Sequence, residues 1–599
     1  MHRFMIRKKV LITMNNYDLN NGVHESEKSL WVSVKKFFPF LREQRSQIIL
    51  ATISAFITSG LNLLAPILIG YTVDNYIQKG QFHGVLVYGA IILAIYIGSV
   101  ISNYLQTLLM GRVGQNVLFG LRNMVFNKLA NLPTAFFNQN KAGDLISRIN
   151  NDTDKLNQFF SQSLVQFVAN IITIIGGAIF VLMINWEIGL IALAPAVFLL
   201  IFTKILSPWI RQKNAINQKN LGNMSGEISE SIDNFKVVVA FNRRDYFRKK
   251  FREVNNINYK SAISAGIANN TLAPTYGFAS GIAQLLVIAF GLTFIASGNF
   301  TLGLLISFLA YISKIYNPLR KMAAIWSNFQ TAFASWDRIH AILLLNSDLI
   351  KIPSVKTNPS SHVMEFKKVS FSYPGGKEVL HSVNFSFDRG KTYALVGPTG
   401  GGKTTTAFLI SRLYDPIQGT VLLDGKDICS YNDDERTKKI GFILQEPFLF
   451  TGTVRDNIVY GNEEYSKFTN KELSKVIEEH GLKTLLKRFE GGLDMEVTAT
   501  GNKLSLGQKQ LIAFIRAVLR RPELIILDEA TANIDTVTEK LLEDILKKLP
   551  KKTTLIIIAH RLNTIENADK IFFVNSGEII KAGSMKHAVD MLLHGKRES

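Results

Sequence analysis

Tyr393–Leu413 reads YALVGPTGGGKTTTAFLISRL, and the rest of the chain is best read outward from it. Tyr393–Val396 is a short apolar run of strand type, Gly397–Gly402 a glycine-rich loop, and Lys403 and Thr404 open a helix-compatible run. The spacing matches G-x-x-x-x-G-K-[ST] between a strand and a helix, the context that makes the match meaningful. Gly397, Gly400, Gly401 and Gly402, with Pro398 and Thr399 among them, let successive backbone N–H groups curl around a phosphate chain without Cβ clashes. The following helix adds its positive N-terminal end. Lys403 is placed to reach the β- and γ-phosphates and the Thr404 hydroxyl to ligate Mg²⁺, with Thr405 behind them. The plain alternative is a glycine-rich turn followed by an accidental Lys-Thr, so the reading depends on partners elsewhere.

Those partners are present. Leu524–Leu527 is a buried-strand run ending in Asp528-Glu529. An acid at the carboxyl end of such a strand can hold Mg²⁺, usually through water, and a second acid beside it can act as general base on the attacking water. Leu555–Ala559 is another apolar run and ends in His560, placed to contact a γ-phosphate. Gln445 follows the apolar run Phe442–Leu444 and offers an amide to metal or water. Tyr373, ahead of Pro374, is a candidate to stack on adenine, or else an ordinary surface tyrosine. Leu504–Gln508 (LSLGQ) heads the helical stretch Lys509–Arg520. Ser505 and Gly507 there form another anion site at a helix N-terminus. One nucleotide does not obviously need both.

The chain has 599 residues, which favours several domains, and its composition averages two unlike parts. Up to about residue 345 long uncharged apolar runs dominate; beyond it the pattern alternates strand-like and helix-like segments, as in an α/β nucleotide-binding fold. The net charge of +21 sits mostly in the first part. Its basic residues cluster between apolar runs, as in cytoplasmic loops of a membrane protein rather than in a nucleic-acid-binding surface. A single cysteine, Cys429, excludes an intrachain disulfide. Residues 1–28 read as a polar, disordered tail, and Leu30–Leu41 as either an amphipathic surface helix or a connector.

Spans are expected at Ser46–Val73, Gly84–Gly111, Leu156–Trp186 and Ile188–Thr203, with two more in the charge-free stretch Ser261–Ser313, broken near Gly298-Asn299. Each is judged against the roughly 20 apolar residues a bilayer requires. Lys and Arg are abundant before the first run, around 112–155, in 204–260 and after Lys314, and scarce in the short turns between. Both termini and both long loops are therefore assigned to the cytoplasm. Asn151–Phe160 and Phe235–Asn242 fall in those loops, where a soluble partner could grip them. No Asp or Glu lies inside an expected span, which argues against a proton- or sodium-driven carrier and points to the nucleotide as energy source. Phe180, Phe198, Tyr276, Phe290, Phe294 and Tyr311 either line a pocket for apolar cargo or, more plainly, face lipid and neighbouring helices. Asn346–Ser361, with Pro353 and Pro359, reads as a linker. The domains expected are thus a tail at 1–28, a transmembrane domain at 29–345, the linker at 346–361 and an ATPase domain at 362–599.

Taken in order, GPTGGGKT, the glutamine, LSLGQ, IILDE and the histidine resemble the ATPase domain of ABC transporters over residues 362–590. Residues 30–345 resemble the six-helix membrane domain of the exporter (type IV) class, and Leu132–Arg148 resembles its first intracellular loop. The resemblance implies ATP and Mg²⁺ as cofactors and a cell-membrane protein with its ATPase domain in the cytoplasm. It also implies a half-transporter, in which each ATP lies between the Gly397–Thr404 loop of one chain and the Ser505–Gln508 segment of a second, with Asp535 counted among the nucleotide-site residues. The segments at Asn151–Phe160 and Phe235–Asn242 look like the neighbourhood of the family's coupling helices. Three departures stand out: Ala499 where a glutamate is common, Leu506 in place of glycine, and ATANID after Glu529. With AHRLNTIENAD, that last stretch is similar to the hydrolytically competent subunit of heterodimeric bacterial multidrug exporters. The function implied is ATP-driven export of hydrophobic or amphipathic compounds. The competing readings are a lipid or peptide exporter, and a nucleotide-gated channel or regulatory protein.

Overall fold

The computed structural model describes residues 17–19, 42–347, 349, 351–353, 360–498, 504–528, 536–558, 568–582 and 587. They form two compact units. One is helical and takes in 22–129 and Gly143–Leu344; the other joins Ala130–Ala142 and the N-terminal residues to the chain from Leu345 onward.

The helical unit carries six helices long and apolar enough to cross a membrane: α1 (Arg45–Ile77), α2 (Phe82–Ala130), then, after the short helix α3 (Thr134–Gln139) of the other unit, α4 (Ala142–Ile184) and α5 (Trp186–Asp233), and, after a further short helix α6 (Phe235–Ala240), α7 (Arg244–Ala296) and α8 (Leu302–Leu344). The turns are made by local chemistry. Asn185 separates α4 from α5 in extended conformation, and its side chain caps α5 by accepting from the Ile188 N–H at 3.0 Å, satisfying one orphan donor. Gly298, at φ +77°, makes the break between α7 and α8. In the apolar stretch of α2 only 6% is buried within the protein, a surface untenable in water and suited to lipid.

Where helices touch, small and polar residues do the joining. A Cβ on Gly303 of α8 would lie 2.0 Å from the Gly70 carbonyl oxygen of α1, so the two backbones meet as only glycines allow. Asp74 seals this contact: its carboxylate accepts from the Thr301 hydroxyl at 2.5 Å and the Gly303 N–H at 2.7 Å, placing a negative charge on the positive end of α8. Pro66 interrupts the hydrogen-bond ladder of α1. Ser307 donates to the Pro66 carbonyl at 2.8 Å and Tyr311 to that of Leu63 at 2.5 Å. Between α5 and α7, Asn214 and Asn269 exchange two carboxamide bonds of 2.8 and 3.0 Å.

Two stretches marked by the charge pattern take the following form. The charge-free run ends at Ser313, but the helix α8 runs unbroken to Leu344 and carries Lys314, Arg320 and Lys321 within it. From Leu302 to Ser313 a helix rises only about 18 Å, short of the roughly 30 Å hydrocarbon core. Within Asn151–Phe160, Asp152, Thr153, Leu156, Phe159 and Phe160 are buried, while Asn151, Asp154, Lys155 and Gln158 are exposed. Asp152 is bonded to Arg338 and Ser335 of α8, and Phe159 packs edge-on to Phe329 at 4.7 Å. Tyr276 and Tyr311 are core residues, with Phe180 and Phe294 in or against that core, and Phe198 and Phe290 are exposed on the helix surfaces.

The second unit is α/β. Its strands are β1 (His362–Ser372), β2 (Glu378–Asp388), β3 (Thr392–Val396), β4 (Gln418–Leu423), β5 (Lys426–Asp427), β6 (Ile440–Ile443), β7 (Gly452–Thr453), β8 (Glu496–Val497), β9 (Leu524–Asp528), β10 (Thr554–Ile558), β11 (Lys570–Asn575) and β12 (Glu578–Lys581). An antiparallel sheet has the order β2-β1-β4-β5, and a larger sheet the order β12-β11-β3-β10-β9-β6. From β11 to β6 the larger sheet is parallel. Its central strands are apolar except at their ends, where Thr392, Thr554 and Asp528 stand, as sheets covered on both faces require.

Candidate functional site

In a parallel sheet all strands point one way, so their carboxyl ends share an edge. Ile558 of β10 pairs with Leu395 on one side and with Asp528 on the other, and Ile443 of β6 pairs with Leu527. The strand feeding the glycine loop, the strand ending in Asp528 and the strand before Gln445 therefore have their carboxyl ends on one rim. This is where open α/β sheets bind ligands.

The loop on that rim is built as an anion cradle. Gly397, Gly400 and Gly402 have φ of +148°, +82° and +113°, a backbone region that residues with a Cβ avoid. At Gly397 the requirement is doubled, since a Cβ would stand 1.9 Å from the Val574 carbonyl oxygen of β11. The helix α9 (Lys403–Ile410) starts directly after Gly402 with no side chain capping it, so its first N–H groups face the loop as donors for an anion. Lys403 is buried, and its ammonium is held at the centre by the carbonyls of Gly397 (2.8 Å) and Pro398 (3.0 Å). Pro398, Thr399 and Gly400 are exposed on the crest, Gly401 is buried against β11, and Thr404 is half-buried. This donor set fits a polyphosphate.

Asp528 is buried at the end of β9, and Gln445 is exposed just past β6, its backbone carbonyl accepting from Gln510 at 3.3 Å. Gln510 belongs to α10 (Leu506–Leu519), whose N-terminus is a capping box. The Ser505 hydroxyl accepts from the Gln508 N–H at 3.2 Å, Gln508 Oε1 accepts from the Ser505 N–H at 2.9 Å, and Gln508 Nε2 donates to the Arg488 carbonyl. Ser505 is exposed and Gly507 buried, so the serine hydroxyl keeps its proton for an outside acceptor. Glu529, Asp535, His560 and Ala499 lie outside the described residues.

Tyr373 is half-buried, with its ring edge-on to Phe371 at 5.0 Å and to Tyr414 at 5.2 Å. Its hydroxyl shares a 2.9 Å hydrogen bond with Thr405 of α9. Burial raises the pKa of this phenol, with the Thr405 contact opposing, so the ring stays neutral. The motif reading missed what stands behind it. Tyr414 is buried and bonds to Asn138 Nδ2 at 2.7 Å, so α3 reaches the phosphate loop through Asn138, Tyr414, Tyr373 and Thr405. The contact spans 276 positions and leaves no local trace beyond the aromatic at 414.

A family model described as "ABC transporter transmembrane region" matches residues 48–319, and one described as "ABC transporter" matches residues 380–532. An uncharacterized ABC transporter ATP-binding protein of Bacillus subtilis is 32% identical over 92% of this chain and 91% of its own length. A fatty acid ABC transporter ATP-binding/permease protein of Mycobacterium bovis is 30% identical over 83% of this chain and 78% of its own. A multidrug resistance ABC transporter ATP-binding and permease protein of Lactococcus lactis is 29% identical over 93% of each.

Proposed function

This chain belongs to the ABC transporter family, and from that premise we propose that it exports hydrophobic or amphipathic compounds across the cell membrane by alternating access driven by ATP. The observation that carries the reading is one polypeptide holding six span-length helices and a phosphate cradle on an α/β unit. On this reading residues 29–345 are the transmembrane domain and 362–599 the cytoplasmic ATPase domain. Tyr373 stands at the base, Gly397–Thr405 hold the phosphates, and Lys403 neutralises charge on the β- and γ-oxygens. Thr404, Gln445 and Asp528 would hold a Mg²⁺ ion, which polarises the transferring phosphoryl group when bound. Glu529 takes the proton of the attacking water and His560 steadies the γ-phosphate.

Ser505, Gly507 and Gln508 serve the nucleotide of a second chain, since half-transporters of this family work in pairs. Two exposed features support that pairing. The helix α6 shows Phe235, Val237 and Val239 to solvent, followed by Phe241. The ATPase unit carries an exposed groove of about 240 Å³ lined by Leu444, Phe448, Phe450 and Tyr460 beside Arg516. An apolar helix and an apolar groove of this kind match as helix and receptor across two subunits. The ATANID stretch and Ala499 favour an unlike partner, one with a residue other than glutamate where Glu529 stands here.

Reconstituted into proteoliposomes with its partner, the protein is expected to move an apolar dye at constant ATP when an uncoupler collapses the proton gradient. Transport that stops under uncoupler would overturn the energy source, and hydrolysis without any cargo movement would favour a gating role. The Asn138–Tyr414 joint yields a second expectation. Tyr414→Phe removes one hydrogen bond, about 1 kcal/mol, so transport per ATP hydrolysed should fall about two- to fivefold while nucleotide binding is retained. An unchanged ratio would show that α3 transmits nothing through this contact.

A further inference from the structure

Tyr17 is among the largest fully buried side chains of the described residues, and Leu19 is buried beside it, although neither belongs to a helix or strand. What covers them is the short helix α3 and the chain two residues past α8. The Tyr17 ring stands edge-on to Phe136 of α3 at 6.2 Å, and its hydroxyl donates to the Asn346 carbonyl at 3.0 Å. Apolar body and polar tip are thus both satisfied, as burial of a tyrosine requires. Asn140, directly after α3, holds the backbone on either side of Asp18. Its Nδ2 donates to the Tyr17 carbonyl at 2.8 Å, and its Oδ1 accepts from the Leu19 N–H at 3.2 Å. Nδ2 also donates to the Phe136 carbonyl at 2.8 Å, closing the last turn of α3. Both hydrogens and the oxygen of this buried carboxamide are therefore engaged. Bonding to the C=O of one residue and the N–H of the second residue after it is how a parallel strand reads its neighbour, and the tyrosine adds an aromatic anchor.

The same helix carries the relay to the phosphate loop on another side. Phe136 and Asn140 are four residues apart and share a face, whereas Asn138, which bonds to Tyr414, lies about 200° around the helix from Phe136. Resting on the reading of the chain as an exporter, we propose that Phe136, Asn140 and Asn346 form a peptide site, that its occupant is Tyr17–Leu19 of this chain, and that the docked segment is a strap holding α3 so that motion is transmitted through Asn138. About 25 residues separate Leu19 from the start of α1 at Arg45, a connection short enough to keep the segment at millimolar effective concentration near its site. One aromatic ring and three hydrogen bonds then suffice to hold the strap, and they are few enough to let it go.

The test uses the complete transporter with its partner in proteoliposomes and has two independent readouts. Hydrogen exchange reads docking. The Leu19 N–H, held by Asn140, is expected to be protected about tenfold or more, and Tyr17→Ala and Asn140→Leu should each abolish that protection. Cargo moved per ATP hydrolysed reads transmission. It should fall about two- to fivefold in Tyr17→Ala, the size of losing one such contact, with nucleotide affinity unchanged. Tyr17→Phe, which keeps the ring, should show only part of both effects. Added to Tyr414→Phe, Tyr17→Ala should cost nothing further, because both act through α3. An unprotected Leu19 amide in the wild type overturns the docking. A transport ratio that is unchanged or raised in Tyr17→Ala overturns the role of the strap, as does full additivity with Tyr414→Phe. All of these leave ATP-driven export standing; that reading fails instead if the wild type hydrolyses ATP and moves no cargo.

Discussion

Replacing Glu529 by Gln is expected to reduce ATP turnover by roughly 10²–10⁴-fold, the range for losing a general base, with nucleotide binding intact. The side chain keeps its shape but no longer takes the proton of the attacking water. Asp528, one residue earlier and buried at the end of β9, is untouched, and so is the cradle around Lys403. In a heterodimer with unequal sites, the arrested complex should retain ATP in both, and the purified transporter should contain two different chains in equal amounts. Turnover near the wild-type rate would remove Glu529 from its role. A homodimer with two equivalent sites and full cargo-stimulated turnover would remove the unlike partner.

Gly397→Ala is expected to abolish the site by geometry instead of chemistry. The added Cβ cannot stay 1.9 Å from the Val574 carbonyl oxygen, so the loop must lift from β11 by about 1 Å, and misplacements of that size cost about 10²-fold in rate. The φ of +148° adds strain of order 1–3 kcal/mol. Nucleotide affinity and turnover should therefore fall together, by about 10²-fold or more, with a lowered unfolding temperature of the ATPase unit. Gly481→Ala is the control: Gly481 has φ +70° but open space around its would-be Cβ, so only the backbone strain remains. Equal losses in the two variants would mean that the contact with β11 is not what the loop requires.

The phosphate cradle was legible in the sequence because it is a contiguous backbone feature. Gly397 to Lys403 need no distant partner to announce a loop of positive φ before a helix. Asp528 was legible for a related reason, as an acid closing an apolar strand. What could not be read is assembled across the chain. Tyr414 acquires its role only when Asn138 folds against it. A polar cavity between α1, α2, α4 and α8 takes its side chains from four helices, each with a modest polar spacing such as Thr58 and Asn62, or Gln166, Asn170 and Thr173, which in isolation resembles ordinary helix–helix joining. The rule of charge-free runs ends the last apolar stretch at Ser313, whereas the helix α8 itself continues through Lys314 and Lys321 to Leu344. Aromatic residues drew attention as a cargo wall, yet Tyr311 spends its hydroxyl on the Leu63 carbonyl.

The lengths of α5 and α7, 48 and 53 residues, have a mechanical consequence. At about 1.5 Å per residue they measure roughly 70–80 Å, so an arm of about 40 Å extends beyond a 30 Å hydrocarbon core. The Asn214–Asn269 pair ties the two arms, and α6 closes their far end. A tilt of about 5° at the membrane then carries α6 sideways by about 3.5 Å, close to two-thirds of a helical turn. Leverage of this kind runs in both directions: a few ångströms of travel imposed at α6 become only a small rotation among the spans, delivered with multiplied torque.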